Sequence, residues 1–229
     1  MESFDIQFIA TTDDPCDSLE HHIALAKDSS FTRRMAPCLR PDKYLEPARE
    51  DWNASTDKLA EVSGISIDSY ADWTAAMENR RAFFKENGAV STDHSHKDLR
   101  TDVLEDSEAE RIFRAARSGS ATPVECEALQ RHMLTEMARM AADDGLTMTL
   151  HPAVARSHDP RTAQRYGADV GADIPIAVEA TRALAPLLNR YGNTGTFNFV
   201  VFKMDETIFG RELGPHGMEE FMNKKLIVG

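Results

Sequence analysis

Leu146-Thr147-Met148-Thr149-Leu150-His151-Pro152-Ala153-Val154-Ala155-Arg156 is a short apolar run that breaks off in a histidine, a proline and an arginine. It reads as a buried strand that delivers polar chemistry at its C-terminal end. A helical stretch closed by Asp143-Asp144-Gly145 precedes it, and a polar loop leading to another helix follows. Helix, strand and helix in alternation predict a parallel sheet. Ligands in parallel α/β folds sit beyond the carboxyl ends of the strands, which makes His151 and Arg156 the first candidate site residues.

Four further segments repeat this pattern. Phe4 to Ala10 alternates apolar and polar residues and runs into Thr11-Thr12-Asp13-Asp14-Pro15, where Asp14 is read as the N-cap and Pro15 as the first residue of a helix reaching Lys27. Met35 to Leu39 ends in Arg40-Pro41-Asp42-Lys43. Residues 44–87 are rich in helix formers, with Gly88 as the stop, and Ala89 to Thr92 then forms a brief strand ending in Asp93-His94-Ser95-His96. Helices are predicted over 107–118 and 123–142, the second with Leu129, Met133, Met137 and Met140 on one face, a core stripe beside which His132 reads as structural. A helix is expected to start at Asp173-Ile174-Pro175 and carry Val178, Leu184 and Leu188. Phe197 to Phe202 is the last strand, ending in Met204-Asp205-Glu206.

Each of these strands ends in charged or imidazole side chains, the arrangement of a (β/α)-barrel active face. A closed barrel uses eight strands, and about five are legible. The predicted fold class is therefore α/β, a partial TIM-type (β/α) barrel of about five β-α units with helical insertions. It occupies residues 1–213, followed by an atypical C-terminal tail over 214–229.

Composition narrows the function. The 229 residues include 26 Lys and Arg against 38 Asp and Glu, a formal charge of −12, and no Gly/Ser/Pro linker divides them. So acidic a chain lacks the positive potential that nucleic acid or an anionic membrane surface requires, and a small-molecule substrate is expected instead. Cys16, Cys38 and Cys126 are scattered, with no CxxC pair, and neither a signal peptide nor a membrane span is legible, so a reduced cytoplasmic location is expected.

Collinear motifs carry a family resemblance. They are Ala10-Thr11-Thr12-Asp13-Asp14-Pro15 with Leu19-Glu20-His21-His22, Leu39-Arg40-Pro41-Asp42-Lys43, Ser91-Thr92-Asp93-His94, and Arg131-His132-Met133-Leu134 with Glu136-Met137-Ala138-Arg139-Met140. Asp144-Gly145-Leu146, Leu150-His151-Pro152 with Arg156, Gly171-Ala172-Asp173-Ile174-Pro175, and Asp205-Glu206 with Arg211-Glu212-Leu213 continue the series. In this set the chain resembles uronate isomerase, also called glucuronate isomerase, of the amidohydrolase superfamily. The resemblance implies a distorted TIM barrel that interconverts aldohexuronates and ketohexuronates, glucuronate with fructuronate and galacturonate with tagaturonate. It also implies a divalent metal, often zinc. Carried over by motif, His151 and Asp93 are the catalytic candidates and Arg40 and Arg156 the substrate-binding ones, with His151 also a candidate metal ligand. A homo-oligomer is expected.

The chemistry agrees with these roles. Moving a proton between C1 and C2 needs an acid/base group and a partner for the enediolate oxygen, and a uronate carboxylate matches the planar fork of an arginine. Two family segments have no counterpart: the His-x-His metal pair would lie upstream of Met1, and the Asp-Asp-Thr-Arg-type segment with the acidic ligand beyond Gly229. A partial reading frame is expected on that ground, with an inactive fragment as one alternative and a metal-dependent hydrolase of the same superfamily as another. The remaining polar clusters read more plainly: His94-Ser95-His96 as no metal pair, with His96 pointing to solvent in a loop, Asp14 as a cap, Asp13 as open, and Asp205 and Glu206 as structural. His21 and His22 are adjacent on a helix, so at most one can face a site.

Overall fold

The computed structural model describes residues 6–152, 154–167, 170 and 174–202. Strands β1 (Phe8–Ala10) and β2 (Arg34–Ala36) pair in parallel around helix α1 (Glu20–Lys27). Pro37 interrupts β2, since it has no N–H to donate, and the chain resumes as β3 (Cys38–Leu39). The segment after β1 continues alongside: Asp13 N–H donates to the Cys38 carbonyl (2.9 Å) and Arg40 N–H to the Asp13 carbonyl (2.9 Å). One 3₁₀ turn (Asp42–Tyr44) and helices α2 (Trp52–Ser63) and α3 (Tyr70–Glu86) lead to β4 (Ser91–His94). Helices α4 (Asp106–Arg117) and α5 (Pro123–Asp144) then lead to β5 (Thr147–Leu150). After β6 (Val154–Ala155), α6 (Pro160–Tyr166), β7 (Ile174–Pro175) and α7 (Ala180–Tyr191), the last described strand is β8 (Phe199–Val201).

The main sheet has the order β3-β4-β5-β8, all parallel, with Leu39 opposite Thr92, Asp93 opposite Thr149 and Leu150 opposite Val201. Its strands follow chain order, with β6 and β7 set apart as a separate pair, so the order never reverses as it does in a doubly wound sheet. Among the described residues the array is open and no closed barrel forms.

The pleat sorts the side chains. Met148 and Leu150 of β5, with Thr92 and His94 of β4, are fully buried on the face covered by helices. Asp93 and Thr149 are register partners on the opposite face. Helices α2 to α5 close the core: Trp73 stacks on Tyr70 (5.7 Å), Trp52 meets Phe113 edge-on (5.6 Å), and Leu129, Met133, Met137 and Met140 are buried as the stripe predicts. His132 is structural, its Nδ1 accepting from the Leu104 N–H (3.1 Å) and its ring beside Tyr70.

The start of α5 carries a full capping box. Thr122 Oγ1 accepts from the Glu125 N–H (3.3 Å), and Glu125 returns a carboxylate to the Thr122 N–H (2.8 Å), with Pro123 in the first turn. Thr122→Ala is expected to cost about 1 kcal/mol, read as a shift in urea midpoint at unchanged slope.

The structure corrects several expectations. Asp14 does not cap α1, which starts at Glu20. Its carboxylate instead takes the Cys16 N–H (2.9 Å), the Tyr44 hydroxyl (2.6 Å) and the Lys43 ammonium (2.6 Å), and Leu19 enters the helix through a left-handed turn (φ 54°). Strand β4 runs two residues further than predicted because Asp93 and His94 find partners on β5. Ile174 and Pro175 open no helix. They pair antiparallel with Val154 and Ala155, and α7 starts at Ala180, capped by the Glu179 carboxylate on the Thr181 and Arg182 N–H groups (both 3.0 Å). Phe4, Asp5, Asp173, Asp205, Glu206 and the 214–229 tail lie outside the described residues.

Candidate active site

The ends of β3, β4 and β5 bring Arg40, Asp93 and His151 together. Asp93 is 8% exposed, and its Oδ1 accepts from His151 Nδ1 (2.6 Å) and from the Thr149 hydroxyl (2.8 Å), while Oδ2 faces Arg40 Nη1 at 3.6 Å. Burial alone would raise this carboxyl. The bond and charge of His151, the Thr149 hydroxyl and the Arg40 charge outweigh it and hold Asp93 below the ordinary carboxylate value. Asp93 is therefore a fixed anion at neutral pH.

His151 is set from two sides. Its backbone N–H donates to the His94 carbonyl (2.6 Å), continuing the β4–β5 ladder past the last strand residue. Its ring lies flat on Phe202, 4.2 Å between centroids and 2° from parallel. With Nδ1–H given to Asp93, the lone pair is on Nε2, the atom left to meet a substrate oxygen or a metal. The side chain is 43% exposed, enough to be reached.

Arg156 directly follows β6 and donates from Nη2 to the Ser95 hydroxyl (3.2 Å). The Ser95 N–H donates to Asp42 Oδ1 (2.9 Å), and Asp42 Oδ2 accepts from Arg40 Nε (2.7 Å). The four residues singled out from sequence thus fall in two hydrogen-bonded groups, Arg40–Asp42–Ser95–Arg156 and Asp93–His151–Thr149, joined by the 3.6 Å ion pair of Arg40 with Asp93. Asp42, Ser95, Thr149 and Phe202 are the members that sequence reasoning left without a role. Asp42 and Ser95 sit inside quoted motifs, and Thr149 lies two residues before His151 on the same strand face, which is the signal that could have found it.

The other titratable groups lie elsewhere. His94 projects to the helix-covered face, where its Nδ1 donates to the Thr149 carbonyl (3.0 Å), and its ring centre is 6.5 Å from that of His96. His96 is buried beside Glu46, Asp42 and Gln130. His22 contacts the Thr11 hydroxyl (2.7 Å) next to Asp13, which also accepts the Cys38 N–H (3.1 Å), whereas His21 is exposed. Asp13 is thus occupied in joining two strands.

Among the described residues no three His, Cys, Asp or Glu side chains converge on a metal position. Catalytic zinc takes three protein ligands, and the described part of the site fits one, the Nε2 of His151.

The family model described as glucuronate isomerase matches residues 1–209. The uronate isomerase of Cutibacterium acnes is 53% identical over 215 residues, 94% of this chain and 46% of that protein. The uronate isomerase of Xanthomonas campestris pv. campestris is 43% identical over 93% of this chain and 45% of its own length. The crystal structure of glucuronate isomerase from Caulobacter crescentus superposes with a TM-score of 0.84 at 38% identity, covering 93% of this chain and 44% of that one. The uronate isomerase structure from Thermotoga maritima, at 24% identity and a TM-score of 0.84, supports the fold alone. The chain spans about half the length of the relatives it matches. By the family model, which matches nearly the whole chain, it belongs to the glucuronate isomerase family.

Proposed function

We propose that this chain carries the substrate-facing part of a uronate isomerase site, interconverting D-glucuronate with D-fructuronate and D-galacturonate with D-tagaturonate. The observation that carries the reading is the Arg40–Asp93–His151 cluster, linked to Arg156 through Ser95, at the ends of three neighbouring parallel strands. That placement also supports reading the open array as one wall of a (β/α) barrel, with its strand ends forming part of the mouth.

The reaction removes a proton from C2 of the open-chain aldose, passes through an enediolate and returns a proton to C1, while the hydroxyl proton moves between O2 and O1. Asp93, held anionic, keeps the imidazole of His151 in one tautomer with Nε2 towards the substrate. Protonated, His151 donates a proton to the substrate oxygen, and neutral, it takes one back. Arg40 and Arg156 supply the positive charge that a uronate carboxylate needs and a neutral amide or ester does not, which favours isomerase over hydrolase. A divalent cation such as zinc would be held by Nε2 of His151 and would supply Lewis-acid polarisation of the sugar carbonyl, a role alternative to proton transfer by that nitrogen.

The test is to follow ketohexuronate formation from D-glucuronate and D-galacturonate with divalent metal supplied, and to measure uronate binding by ligand-observed NMR in parallel. Wild-type chain is expected to bind uronates but not neutral D-galactose. Arg40→Met with Arg156→Met should weaken binding by about 10-fold or more, the scale of a lost charge-assisted hydrogen bond. A chain that neither converts nor binds either uronate overturns the reading.

A small-molecule hexuronate remains the proposed partner, with a cytoplasmic location. No described helix is long and apolar enough to cross a membrane. A homo-oligomer is proposed as well. Sedimentation velocity showing a monomer at every concentration would count against it.

A further inference from the structure

We propose that Asp42 is the positioning residue of this site, one carboxylate that sets the two substrate-facing arginines relative to each other. The inference rests on the uronate reading above and assigns the group that makes it geometrically possible. Asp42 lies just past β3, in the 3₁₀ turn Asp42–Tyr44. Its Oδ2 accepts from Arg40 Nε (2.7 Å) and its Oδ1 from the Ser95 N–H (2.9 Å). Ser95 lies just past β4, and its hydroxyl accepts from Arg156 Nη2 (3.2 Å). Two strand ends are thereby tied through a single side chain, and Arg156, just past β6, joins them through the Ser95 hydroxyl.

The geometry matters because Arg40 has two carboxylates to choose from. An arginine and a carboxylate left alone form a two-pronged pair, and Arg40 would close on Asp93 in that way. Such a pair would place the guanidinium against Asp93 and compete with His151 for the same oxygens. With Nε held by Asp42, Arg40 instead meets Asp93 through Nη1 at 3.6 Å, and Oδ1 of Asp93 stays with His151 at 2.6 Å. The bond to the Ser95 N–H meanwhile fixes the loop whose hydroxyl receives Arg156. His96 lies behind, its Nε2 3.8 Å from Asp42 Oδ1, buried without a closer partner among the described residues. It leaves Asp42 turned towards Arg40 and Ser95.

The test uses the 229-residue chain with Asp42→Ala and the shape-preserving Asp42→Asn. Its first readout needs no ligand. The Arg40 Nε–H resonance, assigned through Arg40→Lys, should exchange slowly in wild type, shift in Asp42→Asn and be lost in Asp42→Ala. The second readout is the Kd for D-galacturonate, expected to weaken about 10-fold or more in Asp42→Ala and less in Asp42→Asn. Asp42→Ala added to Arg40→Lys should weaken binding by less than the two single effects combined, because both changes break the Arg40–Asp42 bond and only Asp42→Ala also frees the Ser95 loop. A purely structural Asp42 would lower the melting temperature and add fully to Arg40→Lys. An unchanged Arg40 Nε–H signal in both Asp42 variants overturns the proposal. If wild type binds no uronate, the functional reading fails while the Nε–H signal still decides whether Asp42 positions Arg40.

Discussion

Asp144→Ala is expected to remove about 3–5 kcal/mol of folding free energy, a large share of the roughly 5–15 kcal/mol of a typical domain. Its partner Arg81 is a charged side chain on α3 that is only 1% exposed. Arg81 Nε and Nη2 reach the two carboxylate oxygens of Asp144 at 2.7 and 3.0 Å, while Nη1 is buried with no partner among the described residues. Deleting the carboxylate leaves a guanidinium in the core with nothing to offset its lost hydration, the costly way to break such a pair. Asp144 has further duties: Oδ1 accepts the Leu146 N–H (2.9 Å), its own carbonyl accepts from Lys85 Nζ, and Gly145 follows in a left-handed conformation (φ 76°) that turns α5 into β5. The same ion pair therefore anchors the strand that carries Thr149 and His151. Urea unfolding of Asp144→Ala, Asp144→Asn and the double replacement Arg81→Met with Asp144→Leu would separate the contributions. The asparagine should be milder than the alanine, and the apolar pair milder again, because it strands no charge. An alanine variant within about 1 kcal/mol of wild type would show that the pair is not what anchors the α5–β5 turn.

The parts of this fold legible from sequence are those written in local pattern. Short apolar runs ending in polar residues mark β3, β4, β5 and β8, and the Leu129-Met133-Met137-Met140 stripe marks the buried face of α5. What was hidden depends on partners distant in the chain. Asp14-Pro15 has the local form of a helix start, but Tyr44 and Lys43, about thirty residues on, capture its carboxylate. Ile174-Pro175 resembles a helix start until Val154 and Ala155 offer it a ladder. The site divides in the same way. His151 and Arg156 are candidates by their place after an apolar run, and Arg40 and Asp93 by the motifs they share with the family. Thr149 earns its place only through the register that sets it opposite Asp93, and Asp42 only through bonds to Arg40 and to Ser95, 53 residues away. Register is a tertiary quantity, and no local periodicity encodes which residue will stand across from which.

Acidification is expected to weaken this chain through His94, and the sign follows from burial. His94 is fully buried on the helix-covered face of β4, and burial, with the nearby charges of His96 and Arg81 in the same direction, pushes its imidazole down to about 3 against opposing help from the Thr149 carbonyl and Asp93. In the unfolded chain the ring takes a proton near its ordinary value of 6.5. Between those two values the unfolded state binds the proton and the folded state does not, so stability is intact above 6.5 and falls as pH drops towards 3. Each pH unit in that window costs about 1.4 kcal/mol, or about 2 kcal/mol by pH 5. His132, also lowered by burial, adds in the same direction. Asp93 behaves oppositely to the buried imidazoles in form: its lowered value contributes stability above the ordinary 3.8 that is lost only as pH falls below it, outside the range compared here. Asn at position 94 can keep a donor for the Thr149 carbonyl (3.0 Å in wild type) without a titrating ring. Urea unfolding of wild type and His94→Asn at pH 7.5 and pH 5 isolates the term, because His132 and every carboxylate are common to both proteins. Wild type should lose about 2 kcal/mol more than the variant between the two conditions. Equal losses would mean that His94 becomes protonated inside the folded chain, and that the β4 face it occupies admits water.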